Sequence, residues 1–226
     1  MDIDIYSDVV CPWCYIGKRR LESALERFDG DVKIRYRPFQ LDPSTPHEPH
    51  PLLEWLGPKF GGPARAQQMT AHTTAVAAAD GIEMNFDRAI ISNTFKAHRL
   101  IWFAGDEHGP TVAEALHKAH FTDGLDIGST DTLTSIAAGA GMDASAVREF
   151  LDSPAGTTEV QAEIDEAVSL GISSVPTFVF AGKYAVSGAQ DPDLLLKTLE
   201  EVSRREGTLQ PIGVAGSSCD DDSCAV

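Results

Sequence analysis

The chain has 226 residues, 42% of them hydrophobic, enough to bury a core without disulfide staples and to fill one large domain or a small one with a second inserted in it. Its 34 acidic and 18 basic side chains leave a formal charge of −16, and so acidic a surface repels phosphate backbones and anionic bilayers, which argues against nucleic acid and membranes as partners. No apolar run is long enough to span a bilayer, and the opening Met1-Asp2-Ile3-Asp4 has neither the basic nor the apolar region of a secretory signal, so an unprocessed cytoplasmic protein is expected.

Residues 2–7 alternate polar and apolar, as a strand does. A helix is predicted from Pro12 to Phe28, with Leu21, Leu25 and Phe28 on one face and Asp29-Gly30 as its stop. Residues 32–37 alternate again, which completes strand–helix–strand. The five prolines between Pro38 and Pro51 predict an irregular connection. Helical periodicity then predicts helices over 63–79, 93–107, 110–121, 130–140, 143–151 and 155–170, separated by Gly and Pro stops such as Gly109-Pro110. Strands are expected at Thr177–Phe180 and Tyr184–Ser187, joined tightly through Ala181-Gly182, and a last helix from Leu194 to Arg205. The order is βαβ, a helical block, then ββα. Two short strands are barely stable alone, so the two ends are expected to share one sheet with the block inserted between them.

Four cysteines occur as two close pairs, Cys11/Cys14 and Cys219/Cys224, with none in the 204 residues between them. A secreted disulfide scaffold would spread them; this pattern points to redox chemistry or metal binding. Thiol–disulfide exchange needs a nucleophilic thiol and a second thiol close enough to resolve a mixed disulfide. In Cys11-Pro12-Trp13-Cys14 at a helix start, the unpaired backbone N–H groups and the helix dipole favour a thiolate at Cys11, and Cys14 lies one turn along and more enclosed. Asp8 works against that ionisation. The competing reading is zinc, for which one pair supplies half a site.

At this point the chain resembles the DsbA-like thioredoxin-fold oxidoreductases with a helical insert, in particular the FrnE-like members related to 2-hydroxychromene-2-carboxylate isomerase and kappa-class glutathione transferases. The resemblance rests on Ser7 to Gly17 (Ser-Asp-Val-Val-Cys-Pro-Trp-Cys-Tyr-Ile-Gly), Arg37 to Pro43 (Arg-Pro-Phe-Gln-Leu-Asp-Pro), Asn93 to Leu100 (Asn-Thr-Phe-Lys-Ala-His-Arg-Leu) and Gly171 to Phe178 (Gly-Ile-Ser-Ser-Val-Pro-Thr-Phe). It implies an α/β thioredoxin fold with a large all-helical insert: residues 1–40 and 172–206 as the discontinuous thioredoxin-like domain, 41–171 as the insert and 207–226 as a flexible tail. It also implies a cis Val175-Pro176 beside Cys11, with Val175, Pro176, Pro12 and Trp13 on the substrate side, and places Asn93 and His98 near the site as tuning or substrate-holding residues. The isomerase and transferase relatives carry serine at the first cysteine position and bind glutathione; Cys11 with a resolving Cys14 departs from them and favours electron transfer.

The expected activity is that of a thiol–disulfide oxidoreductase or isomerase on protein disulfides, without a cofactor, with glutathione or thioredoxin as redox partner. The alternatives are a glutathione-dependent isomerase or transferase on a small molecule, and a zinc-binding or chaperone-like module. FrnE-like proteins can carry a cysteine pair in the tail. Here the arm 207–218 spans at most about 40 Å, enough to reach Cys11. The aspartates 220–222 oppose thiolates at Cys219 and Cys224, so the tail dithiol is expected to reduce the Cys11–Cys14 disulfide. Glu114, His117 and His120 share a helical face as a weak metal pattern, and His47 and His50 lack a clear partner. Trp55, Phe95, Trp102 and Phe103 are core residues or the walls of an apolar substrate groove.

Overall fold

A computed structural model describes residues 1–207. β1 (Asp2–Ser7), α1 (Pro12–Leu25) and β2 (Lys33–Pro38) form the first half of a four-stranded sheet; β5 (Thr177–Phe180), β6 (Tyr184–Ser187) and α8 (Pro192–Glu206) form the second. The strand order is β2-β1-β5-β6. β1 runs parallel to β2 with Ile3 opposite Ile34, and antiparallel to β5 with Ile5 opposite Phe178. The two chain ends therefore share one sheet, as the instability of isolated short strands requires. Ile3, Ile5, Leu21, Phe178, Phe180, Leu195 and Leu199 are buried together between that sheet and α1 and α8. The β5–β6 turn has Ala181 at φ 51° and Gly182 at φ 65°, the left-handed pair that a tight hairpin needs.

Between the halves lie β3 (His50–Pro51), α2 (Leu52–Lys59), α3 (Pro63–Ala79), β4 (Ile90–Ile91), α4 (Phe95–Lys118), α5 (Thr130–Gly139), α6 (Ala144–Asp152) and α7 (Thr157–Ser169). The fold is the expected α/β thioredoxin fold carrying a helical insert. Several boundaries differ from the sequence expectation. α1 ends at Leu25 rather than Phe28, and the predicted stop at Gly109-Pro110 is absent. The chain breaks instead at Gly105, whose φ of 61° and ψ of −161° are open to glycine, and Pro110 is absorbed just after the restart. The N–H that proline lacks matters least near a helical start, where intrahelical partners are missing anyway. α4 leaves through one π-helical turn, Ala119–Asp123. The short α2, with Pro58 inside it, was not visible in the pattern.

The insert has two cores. One gathers Leu100, Val112, Leu116, Leu133, Val147 and Leu151 from α4, α5 and α6; the other gathers Leu52, Ala77, Ile82, Phe86 and Phe121. The segment after β1 belongs to both: Val9 is buried in the first, Tyr15 and Ile16 in the second, and Leu21, a turn further on, in the sheet core. The cysteine-bearing turn is thus gripped from three sides.

Arg99 shows how the insert is held. It is 7% exposed, and its guanidinium donates to the carbonyls of Phe150, Leu151, Ser153 and Ala155 at 2.6–3.3 Å. These groups lie at and just past the end of α6, where helical carbonyls lack partners and a cation is favourable. Arg99→Met should lower unfolding free energy by about 3 kcal/mol, because several buried acceptors lose their donor at once. Urea denaturation measures this, and a loss under about 0.5 kcal/mol, the usual range for surface changes, would contradict the role.

Candidate active site

Cys11 is the N-cap of α1, with extended backbone (φ −89°, ψ 113°), and Pro12 occupies the first helical position, where its missing N–H costs nothing. The Cys11 N–H donates to the Asp8 carbonyl at 3.0 Å, and the Cys14 N–H to the Cys11 carbonyl at 3.0 Å, so the two cysteines bracket the first turn. Cys11 is 4% exposed and Cys14 2%, whereas Trp13 between them stands 38% exposed. Both cysteines carry free thiols. Burial pushes the Cys14 thiol well above its ordinary pKa, and the adjoining Cys11 sulfur raises it further, while hydrogen bonds from Ser7 and the Asp8 backbone oppose the rise.

The Val175–Pro176 peptide is cis, and the Cys11 thiol donates to the Val175 carbonyl at 3.7 Å. Residues that are far apart in the chain therefore meet at one sulfur. Pro176 is seated on α1 through Gly17: a Cβ there would lie 2.8 Å from Pro176 Cγ and 3.2 Å from Phe178 Cζ, so only glycine allows the helix to approach.

His98 and Asn93 behave differently. His98, 3% exposed, places Nε2 3.3 Å from Asp8 Oδ1, and the other Asp8 oxygen accepts the Leu41 N–H at 2.8 Å. His98 thus reaches the cysteine turn through Asp8. Asn93 instead pins the loop after β2, donating to the Pro43 and Thr45 carbonyls and accepting from Phe95 N–H and the Gln40 amide. Its partners are backbone and loop groups, and among the described residues neither side chain hydrogen-bonds a sulfur.

The metal pattern disperses. Glu114 binds Lys18, Arg19 and the Tyr15 hydroxyl, His117 Nδ1 lies 3.2 Å from the Val9 carbonyl, and neither ring nitrogen of buried His120 has a partner. Among the described residues no three His, Cys, Asp or Glu side chains are grouped to hold a metal. His50 stacks on Trp55. Cys219 and Cys224 lie outside the described residues.

A cavity of about 340 Å³ opens beside Cys11. Pro12, Trp13 and Val175 line it on the side of the cysteine turn. Trp55 packs on the core of α2 and α3, Trp102 and Phe103 stack on Phe150, and neither these nor Phe95 line it. Its far wall is Leu52, Leu56 and Phe60 of the α2 segment, Met69 of α3 and Phe86. A short helix interrupted by proline and an alanine-rich one give little periodic signal, which is why these residues went unnoticed.

The chain belongs to the family of DSBA-like thioredoxin domains, which it matches over residues 2–200. It is similar to a probable DsbA oxidoreductase from Streptomyces coelicolor, 34% identical, covering 100% of this chain and 99% of that one, with a TM-score of 0.85. The protein YwbO of Bacillus subtilis, whose function is uncharacterized, is 27% identical over 90% of this chain and 98% of its own length. The cytosolic disulfide reductase DsbM of Pseudomonas aeruginosa, 20% identical, shares the fold with a TM-score of 0.61 over 91% of this chain and 100% of that one.

Proposed function

We propose that the protein is a thiol–disulfide oxidoreductase or isomerase acting on protein disulfides, with Cys11 as the attacking sulfur and Cys14 as the resolving one. The observation that carries the reading is the convergence at one point of the Cys11 sulfur at the start of α1, the enclosed Cys14 one turn later, and the Val175 carbonyl before cis Pro176. Cys11 stands at the N-cap of α1, and the burial that keeps Cys14 protonated stops it competing for the first step.

The Cys11 thiolate attacks one sulfur of a substrate disulfide. A Cys11–substrate S–S bond forms and the other substrate sulfur leaves as thiolate. With Cys11 bound, its sulfur no longer carries the charge that helped hold the proton on Cys14. Cys14 then loses its proton to solvent and attacks Cys11 Sγ. The second substrate thiolate departs, and two electrons have passed from the enzyme dithiol to the substrate. Run in reverse, the steps insert a disulfide into a substrate dithiol. Val175, beside the reacting sulfur, offers backbone groups to an extended substrate strand, and Pro12 and Trp13 border its path. Electron exchange with the Cys219/Cys224 pair and a cytoplasmic location are parts of the same proposal, with glutathione or thioredoxin as the partner that resets the pair. The cytosolic reductase DsbM, also solved with glutathione, supports the last two.

Insulin reduction and reactivation of scrambled ribonuclease test the reading. Cys11→Ser should lower both by at least about a thousandfold, since loss of a nucleophile leaves only binding. Turnover that persists in this variant, or a wild type that is inert toward proteins while turning over a small electrophile with glutathione, would overturn it.

A further inference from the structure

Cys11 lines the cavity of about 340 Å³, but Cys14 does not. A substrate joined to Cys11 covers that cavity, yet resolution still requires the proton of the buried Cys14 to leave. On its other side the Cys14 sulfur is hydrogen-bonded by the Ser7 hydroxyl. Ser7, the last residue of β1, is itself buried and borders a narrow chamber of about 10 Å³, close to the least volume that admits one water molecule. The chamber and the Cys11 cavity share no wall residue.

The titratable side chains around the chamber are Tyr36, Arg37, His98 and Glu163. Burial pushes the Tyr36 phenol well above its ordinary pKa, so it keeps its proton. Arg37 is a cation without an acceptor. His98 turns Nε2 toward Asp8 at 3.3 Å and has almost no contact with solvent. Glu163 of α7 is the one carboxylate in the wall, and 23% of its side chain is exposed, so it meets the chamber on one side and bulk water on the other. Its Oε1 lies 3.2 Å from Arg37 Nη1. Burial raises the Glu163 pKa, Arg37 opposes the rise, and the charges of Glu166 on the same helix and Asp4 of β1 add to it; Tyr6 of β1 also feels this carboxylate. A carboxyl moved toward neutrality both accepts and releases protons readily.

We propose that Ser7 and Glu163 form a rear proton exit for Cys14, separate from the side on which substrate binds. As Cys14 attacks, its proton passes to the Ser7 oxygen, the Ser7 proton passes to a water in the chamber, and a proton of that water passes to the Glu163 carboxylate, which releases it to solvent. The Cys14 sulfur, left with its electron pair, bonds to Cys11 Sγ. The bond from Cys11 to the substrate breaks, and the substrate sulfur leaves as thiolate with that pair, so no further oxidant or reductant enters. This exit rests on the protein-disulfide reading above and gives its second step a path. Ser7 touches the reacting sulfur and is a catalytic residue; Glu163 acts through Ser7 and the water as a positioning residue.

The test uses the reduced full-length chain with Cys219→Ser and Cys224→Ser, so that only Cys11 and Cys14 report, mixed in stopped flow with one equivalent of dithiobis(nitrobenzoate). The first nitrothiobenzoate is released when Cys11 attacks and the second when Cys14 resolves, so one trace reads both steps. Ser7→Ala and Glu163→Gln should each slow the second release at least about tenfold more than the first, below the usual range for proton transfer by a placed group. With Glu163 present, the second rate should level off above the pH at which this carboxyl ionises. In Glu163→Gln it should keep rising about tenfold per pH unit to about pH 8, because hydroxide then takes the proton. A second release within about twofold of the parent's in either variant, equal slowing of both releases, or a pH profile unmoved by Glu163→Gln would overturn the exit while leaving the exchange chemistry intact. A parent chain that releases only the first nitrothiobenzoate would remove the resolving role of Cys14 and the exit with it.

Discussion

Replacing Cys14 with serine should turn the protein into a trap that holds its substrates covalently. The first exchange needs only the Cys11 sulfur, so the mixed disulfide still forms; the second needs a thiol one helical turn away, and the serine hydroxyl cannot supply it. Multiple turnover should fall by at least about a hundredfold, while one equivalent of nitrothiobenzoate is still released from a labelled peptide in a single exponential. Mass spectrometry without reductant should then show the peptide on Cys11. Cys11 Sγ, the atom a resolving thiol must attack, is itself enclosed at 4% exposure, so an outside thiol should substitute only slowly. A glutathione-dependent isomerase or transferase would behave differently, because Cys14 has no step in such a reaction. Unchanged turnover in Cys14→Ser would therefore favour that class, and failure to accumulate the adduct would show that Cys14 does not resolve it.

The second large effect concerns stability in acid. His117 and His120 are both completely enclosed at the end of α4 and its π-helical turn. His117 stacks on Tyr15 with ring centroids 5.2 Å apart, and His120 packs edge-on against Phe121 at 4.4 Å. Burial lowers the His120 pKa from 6.5 to about 4, with the Asp8 charge acting the other way, and burial with the Lys18 charge lowers that of His117 to about 3. The sign follows from proton counting. Between these values and 6.5 the unfolded chain binds protons that the folded one refuses, so stability rises with pH across the window. The full contribution is present above about pH 6.5 and is lost as the pH falls toward 4. At pH 5 the loss is about 2 kcal/mol for each histidine at 1.36 kcal/mol per unit, together a large part of a typical domain's stability. Urea midpoints should therefore drop steeply from pH 7 to pH 5. His120→Leu should remove about half of that slope, and at pH 7 it should be neutral or stabilising by about 1 kcal/mol, because a buried imidazole with no well-formed hydrogen bond and only the Ile90 backbone near it is replaced by apolar surface. A slope the same as the wild type's would show that His120 takes up its proton freely in the folded state.

Much of this molecule was legible before any coordinate. The alternation at residues 2–7 and 32–37 follows from the two-residue period of a strand, the pair at 177–180 and 184–187 was marked by strand-forming residues about the Ala181-Gly182 turn, and the observed strands match these ranges closely. The cysteine pair and its helix start are local in the chain, one turn apart, and so are written in consecutive residues. The helix expected over 63–79 has those bounds in the structure and stops at Asp80-Gly81.

What remained hidden depends on contacts between distant residues. The Val175 carbonyl lies against a sulfur 164 positions away, and only the antiparallel pairing of β1 with β5 brings the two together. Arg99 reads as one more helical cation until four carbonyls from residues 150–155 surround it. The break falls at Gly105 and not at Gly109-Pro110, although both sites carry a plausible local stop. The apolar wall beside Cys11 is assembled from α1, the loop at Leu41 and helices α2 and α3, none of which shows an exposed stripe by itself. Sequence alone thus determined the strands and the reacting pair, because strand period and helix start are short-range properties of the backbone. Tertiary structure alone decided which carbonyl, which proline and which apolar side chains meet the sulfur, because burial is a property of the whole chain and no local pattern encodes it.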